Sequence, residues 1–82
     1  MFRILSEDKN VDQVKAALIS LGLDFTLFRG HGTWQCHEES SLAIELDNIP
    51  RERAECAARI IKSLNSQEAV LFQEIPVTSQ FI

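Results

Sequence analysis

The order of apolar segments in this 82-residue chain predicts an α+β domain with a four-stranded antiparallel sheet. Four short runs have the apolar or alternating pattern of strands, and two longer segments carry apolar residues at three- and four-residue steps. The resulting order, β-α-β-β-α-β, is the ferredoxin-like arrangement. Because each right-handed crossover returns the chain to the same side, both helices are expected on one face of the sheet.

The first strand and the first helix occupy the amino-terminal quarter of the chain. Phe2–Leu5 is a short apolar run that ends at the polar turn Ser6–Lys9. A helix is predicted to begin at Asn10, which is related to Gln13 as in a capping box, and to end at Gly22. Its apolar stripe consists of Val11, Val14, Ala17, Leu18 and Leu21.

A second strand and an irregular region are predicted next. Apolar and polar residues alternate over Leu23–Phe28, and Phe28 falls on the opposite face from the other apolar residues. Gly30-His31-Gly32 is interpreted as a bend, after which Thr33–Gln35 continues or restarts extended structure. The polar segment Cys36–Ser40 is predicted to be a turn or an exposed excursion.

The second half repeats the strand and helix pattern. Ser41–Leu46 alternates as a third strand, and a helix is predicted to have Pro50 in its first turn and to end at a left-handed Asn65. Ala69–Phe72 is the fourth predicted strand, and residues 76–82 form a tail. The apolar residues at helical spacing in the second helix are Ala54, Ala57, Ala58, Ile61 and Leu64.

The small size of the chain favours self-association. A domain of this length buries only about 60% of the surface that its unfolded chain exposes. With both helices on one side, the other face of the sheet lacks a cover, and Phe28 and Trp34 are predicted to point toward it or toward the adjacent edge. Uncovered apolar faces usually mark interfaces, so a homodimer or homotrimer is expected.

Charge and composition exclude several classes of protein. A formal net charge of -4 argues against nucleic-acid binding, which requires many Lys and Arg side chains on phosphates. No run approaches the ~20 apolar residues of a membrane span, and no signal peptide is indicated. Cys36 and Cys56 form no CxxC motif and are expected to be reduced thiols. The chain is therefore expected to be soluble and cytoplasmic.

The bend is the candidate ligand site. Glycines can adopt positive φ and present backbone amides to an anion, although glycines within strands also mark bulges. In this hypothesis Arg29 supplies charge, Trp34 or His31 packs on a ring, and Gln35 and Glu45 contact polar groups. The candidate site residues are Arg29, Gly30, His31, Gly32, Trp34, Gln35 and Glu45.

Two resemblances bear on this site. Arg29-Gly30-His31-Gly32, with Gln35, His37 and Glu39, resembles the basic-Gly-x-Gly stretch at the base of the long loop in PII signalling proteins. That family binds adenine nucleotides between the subunits of a trimer, so the resemblance implies a nucleotide-like ligand at a subunit interface. The long loop and the carboxy-terminal extension of the family are absent here.

The second resemblance is to small uncharacterised proteins of phages and their bacterial hosts. It is carried by Gly32–Trp34, Glu38–Leu42 and Asn65–Leu71. It implies a protein that sequesters a signalling nucleotide or obstructs a host enzyme, in the host cytoplasm if the chain is phage-encoded.

Other chemistries have weaker signals in the sequence. His31, Cys36 and His37 are the only cluster of soft metal ligands, and its irregular spacing is typical of a solvated turn, unless a metal is shared between subunits. No nucleophile elbow is present, and the third strand lacks the aromatic residues with which RNA-recognition domains stack bases. We therefore expect no metal, no cofactor and no enzymatic activity.

The sequence thus leads to two functional hypotheses. The first is a non-catalytic, oligomeric binding protein for a small anionic, nucleotide-like ligand. The alternative is a protein-binding inhibitor or adaptor, in which Phe28, Trp34 and the acidic pair Glu38-Glu39 contact a macromolecule.

Overall fold

The computed structural model describes the backbone of residues 1–82 and every side chain except that of Trp34. Four strands and two helices follow one another in the predicted order β-α-β-β-α-β. The elements are β1 (Phe2–Glu7), α1 (Val11–Ser20), β2 (Phe25–Trp34), β3 (His37–Leu46), α2 (Arg51–Leu64) and β4 (Leu71–Glu74).

The four strands form one antiparallel sheet in the order β2-β3-β1-β4. β3 separates β1 from β2, and β1 separates β3 from β4. Each β-α-β unit is therefore split by a strand that belongs to the other unit, as the split βαβ description of the ferredoxin-like fold requires. The predicted fold class is confirmed.

The core lies between the two helices and one face of the sheet. Alternate residues of the central strands are fully buried, among them Ile4 of β1 and Ile44 of β3. They form one apolar cluster with Val14 of α1 and Ile61 of α2. The predicted apolar stripe of α2 is buried in this cluster at Ala54, Ala57 and Ala58. Both helices thus cover the same face, and neither has the length and hydrophobicity that a membrane-spanning helix requires.

The two ends of α1 differ in how well the sequence predicts them. Gly22 adopts a left-handed φ of 70° after the last helical turn, so the predicted end is confirmed. Asn10 is the N-cap residue of α1, so the predicted start is also confirmed, but the predicted capping box is wrong because the Asn10 side chain makes no capping hydrogen bond. The Asn10 Nδ2 atom instead donates to the Leu64 carbonyl at 3.1 Å and to the Asn65 Oδ1 atom at 3.2 Å.

The end of α2 carries a buried polar network that sequence reasoning missed. Asn65 has a right-handed φ of -88°, so its predicted left-handed conformation is wrong, and Ser66 takes the positive φ instead. The Asn65 side chain is 2% exposed and donates to the Gln67 Oε1 atom at 3.0 Å. The same oxygen accepts the Glu7 backbone N–H at 3.3 Å. These contacts join the beginning of α1, the end of α2 and the end of β1.

The fourth strand lies two residues further along the chain than predicted. Its register is set by β1, since Leu71 pairs with Leu5 and Phe72 pairs with Ile4. The Phe72 ring stacks on Phe2 with centroids 5.5 Å apart, on the helix-covered face. Ala69 and Val70 therefore precede the strand rather than begin it.

Candidate interaction surfaces

The β2-β3 hairpin extends well beyond the rest of the sheet. Its pairing is continuous from Phe25 with Leu46 to Trp34 with His37. β1 pairs with β3 only as far as Ser41, so residues 31–40 have no further strand beside them. We call residues 31–40 the hairpin arm. Every described side chain of this arm is exposed.

The predicted bend at Gly30-His31-Gly32 is wrong, because β2 runs through it as regular strand. Neither Gly30 nor Gly32 has a positive φ. A Cβ atom built on Gly32 would meet nothing within 4 Å, and one on Gly30 would come no closer than 3.9 Å to the Ser41 hydroxyl. The backbone therefore requires glycine at neither position.

The pairing of the arm also decides where the glycine amides point. A two-residue hairpin turn is flanked by a hydrogen-bonded pair, and such pairs recur at every second position of an antiparallel ladder. Trp34 and His37 flank the turn, so the pairs Gly32 with Glu39 and Gly30 with Ser41 belong to the same class. The amides of both glycines face β3 instead of forming an anion cradle.

The turn of the arm consists of Gln35 and Cys36, with φ values of 49° and 65°. Positive φ at both central positions is the type I′ geometry, for which Asn-Gly is the usual sequence. The predicted turn over Cys36–Ser40 is wrong beyond Cys36, since His37–Ser40 is part of β3, whereas the predicted exposure of this segment is confirmed. No turn signature in the sequence marks this position.

The predicted site residues are divided between the two faces of the hairpin. Arg29 pairs with Leu42, which is buried beneath the helices, so Arg29 and His31 lie on the helix side. The two glycines and Glu45 lie on the opposite side. Glu45 pairs with Thr26, six residues from Gly32 along β2, a separation of about 20 Å. The structure does not bring these residues together.

Individual positions also have partners of their own. The Arg29 Nε atom lies 3.3 Å from a carboxylate oxygen of Asp8. The Glu45 carboxylate accepts hydrogen bonds from the Arg3 Nε and Nη2 atoms at 3.1 and 2.7 Å. Gln35 lies in the turn, and the predicted stacking role of Trp34 concerns a side chain outside the described ones.

The face of the sheet opposite the helices, which we call the open face, carries an apolar row. Phe28, Ala43, Leu5 and Leu71 are direct neighbours in register across β2, β3, β1 and β4. The Phe28 side chain is 49% exposed and Leu71 is 53% exposed, while the two central residues are half-buried. The prediction that Phe28 points to the uncovered face is confirmed. The row continues beyond it because each strand carries one apolar residue out of phase with its buried set.

A second row runs beside the apolar row on the open face. Thr26, Glu45, Arg3 and Gln73 are in register across the same four strands. The Arg3 and Glu45 side chains, 35% and 23% exposed, form an ion pair at its centre. The middle of the open face is therefore apolar and electrically balanced.

Two surface grooves lie elsewhere on the described structure and contain none of the predicted site residues. One, of about 380 Å³, lies between α2 and β4 and is lined by Arg59, Lys62, Val70 and Phe72 among others. The other, of about 510 Å³, lies between the amino terminus and the segment that leads into α2. Both have the volume of small-ligand sites, which are typically concave pockets of roughly 300–1,000 Å³.

Charged side chains of α2 form an exposed network at the first groove. The Arg51 Nε atom donates to a Glu55 carboxylate oxygen at 2.7 Å, and Arg59 approaches the other oxygen at 3.4 Å. The hydrogen bond from Arg51 lowers the pKa of Glu55 below its ordinary value. The Arg51 guanidinium also lies 5.5 Å from the centroid of the Phe72 ring.

Among the described side chains, no three His, Cys, Asp or Glu residues are placed to hold one metal ion. Both Cys36 and Cys56 are free and exposed. No protein-family model and no curated protein matches this chain.

Proposed function

We propose that this chain is a non-catalytic cytoplasmic binding protein, an inhibitor or adaptor, that recognises another protein through its hairpin arm. The observation that carries the proposal is that the arm projects beyond the sheet and that none of its described side chains belongs to the buried apolar core. Binding residues lie disproportionately on surface connections that a rigid scaffold positions, and the arm is such a connection between the two parts of the sheet that are packed on the core.

The composition of the arm supports a segment that a partner stabilises. An isolated two-stranded hairpin is marginally stable in water, and a glycine within a strand costs about 0.5–1 kcal/mol relative to alanine. Gly32 lies in the arm although nothing in the fold requires a glycine there. The turn uses Gln35 and Cys36 at positive φ in place of Asn-Gly. A bound partner would offset these costs.

The charge of the arm indicates the chemistry of that partner. Glu38 and Glu39 are adjacent in β3, so one carboxylate lies on each face of the arm. Both are exposed, and the whole chain carries a formal net charge of -4. Because opposite charges steer association, a partner with a basic surface is expected.

A charge-reversed arm tests this proposal. The double variant Glu38→Lys, Glu39→Lys should lose a protein that the immobilised wild type retains from a cell extract. The matched control is the double variant Glu52→Lys, Glu68→Lys, which changes two exposed positions outside the arm and should still retain that protein. Retention of the same proteins by both variants would contradict the proposal.

The retained protein can then be titrated with a probe built into the chain. Trp34 is the only tryptophan and ends β2 beside the turn, and the chain contains no tyrosine. Within this chain, fluorescence excited selectively at tryptophan therefore reports from the arm alone. The expected result is an emission of the mixture with the purified partner that differs from the sum of the two separate proteins, and no such difference with the arm variant.

A small anionic, nucleotide-like ligand is a second candidate, favoured by the groove between α2 and β4. Lys62 lines this groove beside apolar Val70 and Phe72, and so does Arg59, which is paired with Glu55 at its edge, so the groove offers cations next to an apolar wall. A nucleotide panel in thermal-shift measurements tests it. A nucleotide-induced rise in Tm would support this candidate if Lys62→Glu abolishes it and Lys15→Glu, at an exposed position on α1, does not. The absence of a shift with every nucleotide would exclude a nucleotide-like ligand.

A further inference from the structure

We propose that the open face binds a second copy of this chain about a twofold axis that runs parallel to the strands, between β1 and β3. The first argument is the apolar row itself. Phe28 and Leu71 remain half exposed at its two ends, while helices cover only the other face of the sheet. Exposed apolar patches on a face that lacks a layer are typical of interaction sites.

The second argument is that the row is complementary to itself under this axis. The rotation reverses the order of the strands, so Ala43 faces the partner's Leu5 and Phe28 faces the partner's Leu71. A small residue thus meets a larger one at the centre, where interdigitation matters most. The strand directions of two packed sheets differ by about 30°. This rotation displaces residues far from the centre of the interface the most, so the positions nearest the axis stay opposite one another.

The third argument is charge complementarity in the neighbouring row. Arg3 and Glu45 lie side by side on the two central strands, 2.7 Å apart at their nearest atoms. The same rotation places Arg3 opposite the partner's Glu45 and Glu45 opposite the partner's Arg3. Four charges of alternating sign then surround the axis. The formal charge of -4 on each chain lies outside this pair, so the centre of the interface is not repulsive.

The dimensions of the face indicate the strength of the dimer. Four strands, each about 4.8 Å wide, and the six residues of β1, at about 3.4 Å per residue, define a patch of roughly 390 Å² in projection. Two such patches give an interface smaller than the ~1,200 Å² typical of stable complexes. The association is therefore weak and depends on concentration.

Sedimentation equilibrium of the full chain, from low micromolar to several hundred micromolar, tests the surface. The wild type should pass from monomer to dimer, and Phe28→Glu should remain monomeric. Ile19→Glu is the matched control, because Ile19 is an apolar residue of α1 that is 66% exposed and lies outside the open face. Circular dichroism verifies that both variants are folded. A wild type that stays monomeric, or a Phe28→Glu variant that still forms dimers, would overturn the proposal.

Charge reversal tests the axis. Arg3→Glu places only negative charges around the axis and Glu45→Arg only positive ones, so each variant alone should be monomeric. An equimolar mixture should form a heterodimer, because every facing pair is then of opposite sign. An axis along the apolar row would instead place Glu45 opposite the partner's Ser41, and Glu45→Arg alone would still form dimers. That result, or a mixture that remains monomeric, would overturn the assigned geometry.

Discussion

Replacing Asn65 by alanine should destabilise the protein by about 2 kcal/mol. The side chain is 2% exposed and takes part in two hydrogen bonds, one to Gln67 and one from Asn10. Each hydrogen bond contributes about 0.5–1.5 kcal/mol net. The partners keep other contacts, since Asn10 still donates to the Leu64 carbonyl and the Gln67 oxygen still accepts the Glu7 N–H. The larger penalty for unsatisfied buried groups therefore does not apply.

The backbone adds nothing to this estimate. Asn65 has a φ of -88° and a ψ of -2°, which alanine adopts readily. A loss of about 2 kcal/mol lowers the Tm of a domain of this size by roughly 8–16 °C, because each kcal/mol corresponds to about 4–8 °C.

Urea unfolding followed by circular dichroism measures the change in free energy of unfolding. The midpoint should fall while the m-value stays constant, since the surface exposed on unfolding is unchanged. Ser63→Ala, an exposed position in the last turn of α2, should change stability by less than about 0.5 kcal/mol. An equally small loss for Asn65→Ala would refute the claim that this network joins the two helices to β1.

Two further predictions separate backbone and charge effects. In urea unfolding, Gly22→Ala should lower the free energy of unfolding by about 1 kcal/mol, because the φ of 70° is strained for alanine. Gly32→Ala should be neutral or stabilising, since the backbone there is ordinary strand. A destabilised Gly32→Ala variant would instead support a bend at this position. The hydrogen bond from Arg51 is the chief reason that the folded-state pKa of Glu55 is lowered. The ionised Glu55 carboxylate therefore stabilises the fold above the ordinary pKa of 4.5, and this stabilisation is lost as the pH falls through the folded-state pKa. Glu55→Gln should thus be less stable than wild type near pH 7 and equally stable in acid, and a difference that persisted in acid would contradict this cause.

Hydrophobic periodicity predicts the sheet wherever one face is buried. Leu42, Ile44 and Leu46 alternate with half-exposed residues, and both the strand and its buried face follow from that pattern. The same signal ends at Ser41, because the described side chains on both faces of the hairpin arm are exposed and do not alternate between apolar and polar. Without an apolar face, the hydrophobic periodicity does not distinguish a paired strand from a loop, so the sequence does not assign His37–Ser40 to β3.

Local residue preferences mislead where tertiary contacts replace local ones. Asn10 has the chemistry of a helix cap, but its amide is used across 55 residues of sequence to contact Asn65. Glycine is compatible with positive φ and with ordinary strand, so Gly30 and Gly32 do not by themselves indicate a bend. The chemistry of Arg29 and Glu45 predicts one anion site, whereas strand alternation places the two residues on opposite faces of the sheet.

The proposed dimer and the proposed arm would work together. A twofold axis parallel to the strands preserves strand direction, so both hairpin arms would project from the same end of the dimer. Two arms on one assembly raise apparent affinity for a surface with closely spaced sites by about 10²–10⁴ without any new contact. Glu45→Arg, which lies outside the arm, should therefore bind the arm's partner as well as wild type does when that partner is sparsely immobilised. On a densely coated surface the same variant should dissociate faster than wild type, because it has only one arm per molecule. Equal dissociation rates there would show that dimer formation does not contribute to binding by the arm.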